Sequence, residues 1–368
     1  MNKDPFEEYI RHKEPGKAEK GYAWQTAIGL QAVDGIKTSE YLKQTAIRNI
    51  EGEIDFDETQ ALLDSYYQEN VAHPPDDRTE EADKVSARIA QILSEKAFTF
   101  SPGEYIGIHA RLFTGIYKLA GKVRDYNISK KEWVLDGKSV LYGNSFELRS
   151  ALEYDFEQDK KFSYKGLSQD EIIKHLAKFI SNLWQIHAFC EGNTRTTAVF
   201  FIKYLRYLGY EATNDIFAEN AWYFRNALVR ANYNDLKSGV HETTEFLELF
   251  LRNLLLNERN ELHNRSMHIS GTFAEKQDID GQKQDIGNTE QDIGEEKQDI
   301  ESILSAHQQK QYEKLVNAFG KAAVFGRSDM VAVLDITPSP ASALIKKLLE
   351  AGKIEAVTGH GKGKYIVK

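Results

Sequence analysis

From Gly21 to about Phe250, apolar residues recur at three- and four-residue spacing. A chain with that period hides its apolar atoms only by turning one face of each helix inward. The expected fold is therefore mainly α, with helices near 38–51, 56–67, 79–96, 103–119, 147–153, 169–188, 194–208, 218–231 and 242–256. Pro74-Pro75-Asp76-Asp77 marks a loop before the third. One segment breaks the habit. Trp133-Val134-Leu135, Asp136-Gly137 and Val140-Leu141-Tyr142 read as a β-hairpin, because Asp-Gly suits a turn that needs positive φ.

The flanks differ from this body. Residues 1–20 read as a polar, solvated tail, 21–99 as an N-terminal helical region and 100–260 as the core it packs on. Between 261 and 308 the chain turns polar, and Gln-Asp-Ile begins at 277, 284, 291 and 298. Seven-residue spacing invites a coiled coil, but one apolar position per heptad is too few, and Gly281, Gly287 and Gly294 weaken a helix. A flexible linker is the expectation. Residues 309–368 then read as a separate small α+β domain. Helices are expected at 309–319, 328–334 and 341–351, with Thr337-Pro338-Ser339-Pro340 as a turn, and strands at 353–358 and 364–367 flank Gly-His-Gly-Lys-Gly. That order resembles a winged helix-turn-helix module.

Composition bounds what the chain can do. Its 368 residues are 41% hydrophobic and 28% charged, as in ordinary globular proteins. No run approaches the roughly 20 apolar residues of a membrane span, so no membrane partner is expected. The charged start lacks the apolar core of a signal peptide, and the lone Cys190 excludes an intrachain disulfide or a cysteine-rich zinc site. A cytoplasmic location is the expectation. Residues 310–368 hold ten Lys/Arg and five Asp/Glu, a charge of +5, which leaves −14 on the rest of a chain of net −9. A basic end on an acidic body points to different partners for each. DNA is the candidate partner of 309–368, with Lys346, Lys347, Lys362, Lys364 and Lys368 as phosphate contacts.

The chemistry concentrates between Trp184 and Arg195. The amphipathic run IIKHLAKFISNLWQI ends as His187 arrives, a polar loop follows, and the apolar TTAVFFIKYL begins a new helix. A loop at a helix start offers unpaired N–H groups and a dipole that favour an anion. Asn193 or Thr194 can cap that helix. Gly192 leaves room for a phosphate, Arg195 adds a fixed forked donor, Glu191 is a hard oxygen ligand for magnesium, and His187 is a base that titrates near neutrality. Together they suit binding a nucleotide's phosphates and deprotonating an attacking hydroxyl. Cys190 has no thiol-protease partners and is not read as a nucleophile.

HAFCEGNTR resembles the Fic family signature His-x-Phe-x-Asp/Glu-Gly-Asn-x-Arg, with every fixed position present. HARLFTGIYKLAGKVR (109–124) is similar to the helix-to-loop stretch of Fic domains, and Trp133–Tyr142 stands where those domains carry a target-docking flap. The resemblance implies a mainly α, Fic-type helical core with a β-hairpin flap. It implies a protein adenylyltransferase that moves AMP from ATP, with Mg2+, onto a Tyr, Ser or Thr hydroxyl of a target protein or itself. In that reading His187 is the general base, and Glu191 holds magnesium. Gly192, Asn193 and Thr194 cradle phosphate, Arg195 stabilises the leaving pyrophosphate, and Asn232 contacts adenine. Flap residues Val134, Leu135, Asp136, Gly137, Val140, Leu141 and Tyr142 align the target as an added strand. Relatives of this size often pair, so a homodimer is the candidate assembly. Related sites use other nucleotides or remove AMP, and a DNA-binding regulator with an inert or nucleotide-sensing core is the rival reading.

Two departures from the signature stand out. Thr194 replaces a common Gly, and Ala198 replaces a second Arg. The resemblance makes the helix Tyr41–Gly52 the candidate inhibitory element and Glu51 its regulatory carboxylate, but Ile47 stands in its Ser/Thr place. The expectation is a weakened glutamate switch.

Overall fold

The computed structural model of the chain describes residues 5–14, 16–69, 78–212, 215–270, 312, 314–316, 318–320, 323–334, 344–345, 348–349, 352–357 and 364–367. The chain divides into two compact units, Met1–Ile293 and Gly294–Lys368.

The first unit is helical: α1 Glu7–His12, α2 Lys17–Gly29, α3 Glu40–Glu51, α4 Phe56–Glu69, α5 Thr79–Ser94, α6 Pro102–Phe113, α7 Leu148–Lys161, α8 Gln169–Ile186, α9 Asn193–Tyr207, α10 Asp215–Glu219, α11 Ala221–Arg230 and α12 Glu245–Leu256. Short 3-10 turns occupy Leu30–Asp34, Trp133–Leu135, Leu236–Ser238 and Asn264–Met267. Local chemistry sets the starts. Ser39 and Ser101 accept the N–H groups of Leu42 and Glu104, with Pro102 in the first turn of α6, and Ser168 with Glu171 forms a capping box on α8. Each such cap stabilises its helix by about 1 kcal/mol.

At the centre lies α9, buried on every side from Asn193 to Leu205. α5, α6 and α8 pack against it. The two cations of its C-terminal half do not break this burial, because they meet the carbonyl end of α5. Lys203 Nζ donates to Ile92 O at 3.1 Å and Glu95 O at 2.6 Å, and Arg206 Nη1 donates to Leu93 O at 2.7 Å. Cations at a helix C-terminus satisfy its orphan carbonyls and its dipole together.

Four expectations change. Residues 7–12 and 17–20 are helical, and Phe6 is buried, so much of the segment read as a solvated tail is tied down. Its apolar positions, Phe6, Tyr9 and Ile10, are diluted by charge. The helix expected to reach 119 ends at Phe113, because the chain turns through Gly115 at φ 81°. The helix expected over 218–231 is two, broken at Asn220. The expected β-hairpin is a 3-10 turn closed by a single antiparallel bridge, Glu132 to Lys138. Asp136 and Gly137 do take positive φ, 54° and 75°. The first flank fails to alternate, however: the neighbours Val134 and Leu135 are both buried in the 3-10 turn, while Val140 and Tyr142 are buried on either side of exposed Leu141, so the segment is a compact strap rather than a ribbon.

In the second unit, β1 Phe325–Gly326 and β2 Ile354–Ala356 both pair antiparallel with β3 Lys364–Val367, in the order β1-β3-β2. The helix Arg327–Leu334 follows β1, and Leu315, Phe325, Met330, Leu334, Leu344, Ile345, Leu348, Ile354 and Val367 form a separate core. The small α+β character is present. The expected Gln-Asp-Ile linker, Thr337–Pro340, Lys346, Lys347, Lys362 and Lys368 lie outside the described residues. Lys364 pairs with Asp329 at 3.6 Å. Among the described residues, no helix is long and apolar enough to cross a membrane.

Candidate active site

His187 caps the C-terminus of α8 in a left-handed conformation, φ 49°, a position a non-glycine residue holds at a cost of about 1–2 kcal/mol. The side chain is 3% exposed. Its ring lies 4.2 Å from that of Tyr142 on the strap and 5.3 Å from that of Trp184. Neither ring nitrogen has a hydrogen-bond partner. Burial, then the charges of Lys130, Arg124 and Arg225, hold its pKa well below the usual range, so the imidazole is neutral at pH 7. A buried imidazole with both nitrogens unmet is an unpaid desolvation penalty of about 1–3 kcal/mol per group, which a ligand would relieve.

The loop from His187 to α9 is held by its own side chains. Asn193 Oδ1 accepts from Phe189 N at 2.9 Å, and its Nδ2 donates to Phe189 O at 2.7 Å. Thr194 Oγ1 accepts from Trp184 Nε1 at 3.0 Å. Neither therefore caps α9, contrary to expectation. The capping position falls to Gly192, at φ 73°, without a side-chain cap. The first-turn N–H groups of α9, which have no acceptor within the helix, remain open to an anion. Gly192 is also sterically required, since a Cβ there would meet Phe113 Cζ at 2.5 Å.

A second set of residues, none of them assigned a role from the sequence, fixes the same loop. His109 Nδ1 accepts from Gly121 N at 2.8 Å, and its Nε2 donates to Glu191 O at 3.0 Å, which defines the tautomer. Burial pushes the His109 pKa down to about 4, so this ring is neutral too. Arg124 gathers the strap, donating to His187 O at 2.7 Å, Tyr126 O at 2.5 Å and Gly143 O at 2.6 Å. The strap is further pinned by buried Glu132, which pairs with Arg225 at 2.8 Å and accepts from Tyr142 OH at 2.9 Å. Lone His, Arg and Glu residues carry no spacing signal, so only contact geometry reveals them.

The remaining expected residues fall into place unevenly. Arg195, expected at the phosphates, is fully buried, with its guanidinium on Asp34, Glu81, Tyr117 and Gln31. Asn232, expected at adenine, is buried, with its amide donating to Ser181 O and Leu228 O. Glu51 sits apart from the loop, paired with Lys17 at 2.6 Å and accepting from Tyr9 OH at 2.6 Å. Of the flap residues, Leu141 is 85% exposed while Val134, Leu135, Val140 and Tyr142 are buried. Burial pushes the Cys190 thiol up, away from a thiolate nucleophile.

The donor set suits magnesium in one way only. Among the described residues no three or more His, Cys, Asp or Glu side chains cluster as a metal cage. Glu191, partly exposed on the loop, is a single hard carboxylate. Magnesium commonly takes one or two carboxylates and completes its octahedron with substrate phosphates and water. The loop therefore fits a magnesium ion that arrives with a nucleotide.

The crystal structure of a Fic family protein from Desulfovibrio desulfuricans G20 is similar over 98% of this chain and 92% of that chain, at 11% sequence identity and a TM-score of 0.44. The family model that matches the sequence is that of the Fic/DOC family, over residues 99–205, from the approach to α6 through the His187–Arg195 loop and most of α9, and this stretch is a Fic/DOC family domain.

Proposed function

We propose that the protein is a nucleotidyltransferase that moves AMP from ATP onto a Tyr, Ser or Thr hydroxyl of a protein, another or itself. Fic domains generally carry out nucleotidyl transfer to proteins. One observation carries the reading beyond the family: a neutral imidazole with two unmet nitrogens is linked, through Trp184, to an uncapped helix start. The neutral form is the one a general base needs.

In this mechanism the main-chain N–H groups at the start of α9 hold the phosphates. The target hydroxyl oxygen bonds to the α-phosphorus, and the bond from that phosphorus to the oxygen bridging the β-phosphate breaks. Pyrophosphate leaves, and the hydroxyl proton passes to His187. Magnesium, held by Glu191, would neutralise phosphate charge. Main-chain groups of the strap would align the target segment. Tyr142 must leave the imidazole before the two reactants meet there, so the strap opens in each cycle.

The test is incubation of the full chain with ATP labelled at the α- or the γ-phosphate, beside His187→Ala. Transfer of the α-label by the wild type alone supports the proposal. Transfer of neither label, together with salt-sensitive DNA binding by the chain, favours the regulator. Equal labelling of His187→Ala removes its role as base.

A further inference from the structure

We infer that Asp34 and Glu81 are positioning residues of the proposed phosphate site, acting through Arg195, which anchors the first turn of α9 and does not itself touch the nucleotide. This rests on the reading of that turn as the phosphate cradle.

The Arg195 guanidinium is hydrogen-bonded through Nη1 and Nη2, and its Nε makes an ion-pair contact without a hydrogen bond. Nε meets Asp34 Oδ2 at 2.6 Å, Nη1 donates to Gln31 Oε1 at 3.0 Å, and Nη2 meets Glu81 Oε1 at 2.7 Å and Tyr117 OH at 2.8 Å. The Phe113 ring lies 4.9 Å from the guanidinium carbon, and the same ring packs on Gly192. Arg78 completes the network, with Nε on Glu81 Oε2 at 2.9 Å and Nη2 on Oε1 at 2.7 Å. Two cations thus face two anions, and the cluster is neutral. Burial pushes Glu81 up, but Arg195 and Arg78 outweigh it and hold its pKa at about 2, so the pairing persists at any physiological pH.

A cation so paired is not available to a phosphate. Releasing it would leave Asp34 and Glu81 with Arg78 alone, inside the protein. Its position gives it another task. Arg195 is the third residue of α9, and the N–H groups of residues 193–195 are the ones left open. Its side chain ties that turn to three elements: the 3-10 turn Leu30–Asp34, the first turn of α5 at Glu81, and the loop after α6 at Tyr117. Asp34 and Glu81 lie outside the segment matched by the family model. The N-terminal helices are on this account part of the site rather than an appendage.

The experiment measures Mg-ATP affinity by calorimetry, with kcat and KM, on the full chain carrying Glu81→Gln, Asp34→Asn or Tyr117→Phe, below each melting midpoint. Loss of one partner should weaken ATP binding about tenfold for Glu81→Gln, the order expected for one member of a buried network. KM should rise with kcat nearly unchanged. Tyr117→Phe, which keeps the ring, should weaken binding in the same sense by less, and it decides the matter if the acid variants do not fold. The double variant Glu81→Gln with Arg195→Gln should bind no worse than the weaker single one. Unchanged or tighter ATP binding in a folded variant overturns the inference, since tighter binding would mean that the carboxylates compete with phosphate for Arg195. Wild-type protein that binds no ATP would overturn the proposed function and this inference with it, whereas wild-type binding with indifferent variants overturns the inference alone.

Discussion

Gly192 carries two constraints at once. Its φ of 73° lies where a side chain is strained, and the space its Cβ would take is filled by Phe113. Gly192→Ala should therefore destabilise the fold by about 2–4 kcal/mol, from left-handed strain and overpacking combined, and weaken ATP binding. Denaturant unfolding beside calorimetry checks this, and a loss under about 0.5 kcal/mol would refute the packing argument. The residues that lock the loop were half legible. Gly192 could be read from the motif as the residue that leaves room at the start of α9, because only glycine lacks the Cβ that would meet Phe113. Asn193 and Thr194 were legible as polar groups at a helix start but not in their bonding. Whether such a side chain caps its own helix or ties down the preceding loop is decided by Phe189 and Trp184, which no local rule connects to them. Arg195 was legible as a fixed cation but not in its partners, for a related reason. A fixed cation in a phosphate motif suggests contact, yet Asp34 and Glu81, 161 and 114 positions away in sequence (195 − 34 and 195 − 81), had claimed it.

At the scale of elements, α8, the loop and α9 were legible because the amphipathic pattern stops at His187 and an apolar run begins beyond Gly192. The strap between α6 and α7 was not. Asp136-Gly137 gave the turn correctly, but the fate of the flanks depended on Arg124, Glu132 and Arg225, whose pairing comes from the tertiary fold. The strap now reads as the element that governs access to His187. Tyr142 covers the ring and is held in turn by its hydroxyl bond to Glu132. Tyr142→Ala should expose the imidazole, so that carbethoxylation of His187, followed by peptide mass spectrometry, runs several-fold faster than in the wild type. Equal rates would mean that another element closes the pocket. Glu51 belongs to this scale too. It joins α1, α2 and α3 through Tyr9 and Lys17, so the carboxylates that reach the motif come from elsewhere.

For the whole molecule, the mainly helical body was written in periodicity, as were two of the three strands of the small antiparallel sheet of the C-terminal unit, while β1 was not. What composition could not convey is that both ring nitrogens of one base, His187, are buried without a hydrogen-bond partner. The sign of its titration follows. His187 has a depressed pKa when folded, so the unfolded chain takes up its proton first as pH falls, and folding stability from this group is lost below about pH 6.5. The same property gives the most direct measurement: an NMR pH titration of the His187 ring nitrogens in the full chain, with and without Mg-ATP. The account predicts a ring that stays neutral through pH 6.5 without nucleotide and whose signals move on saturation with Mg-ATP. A protonation midpoint at or above 6.5 in the free protein, or signals unmoved by saturating nucleotide, would contradict it.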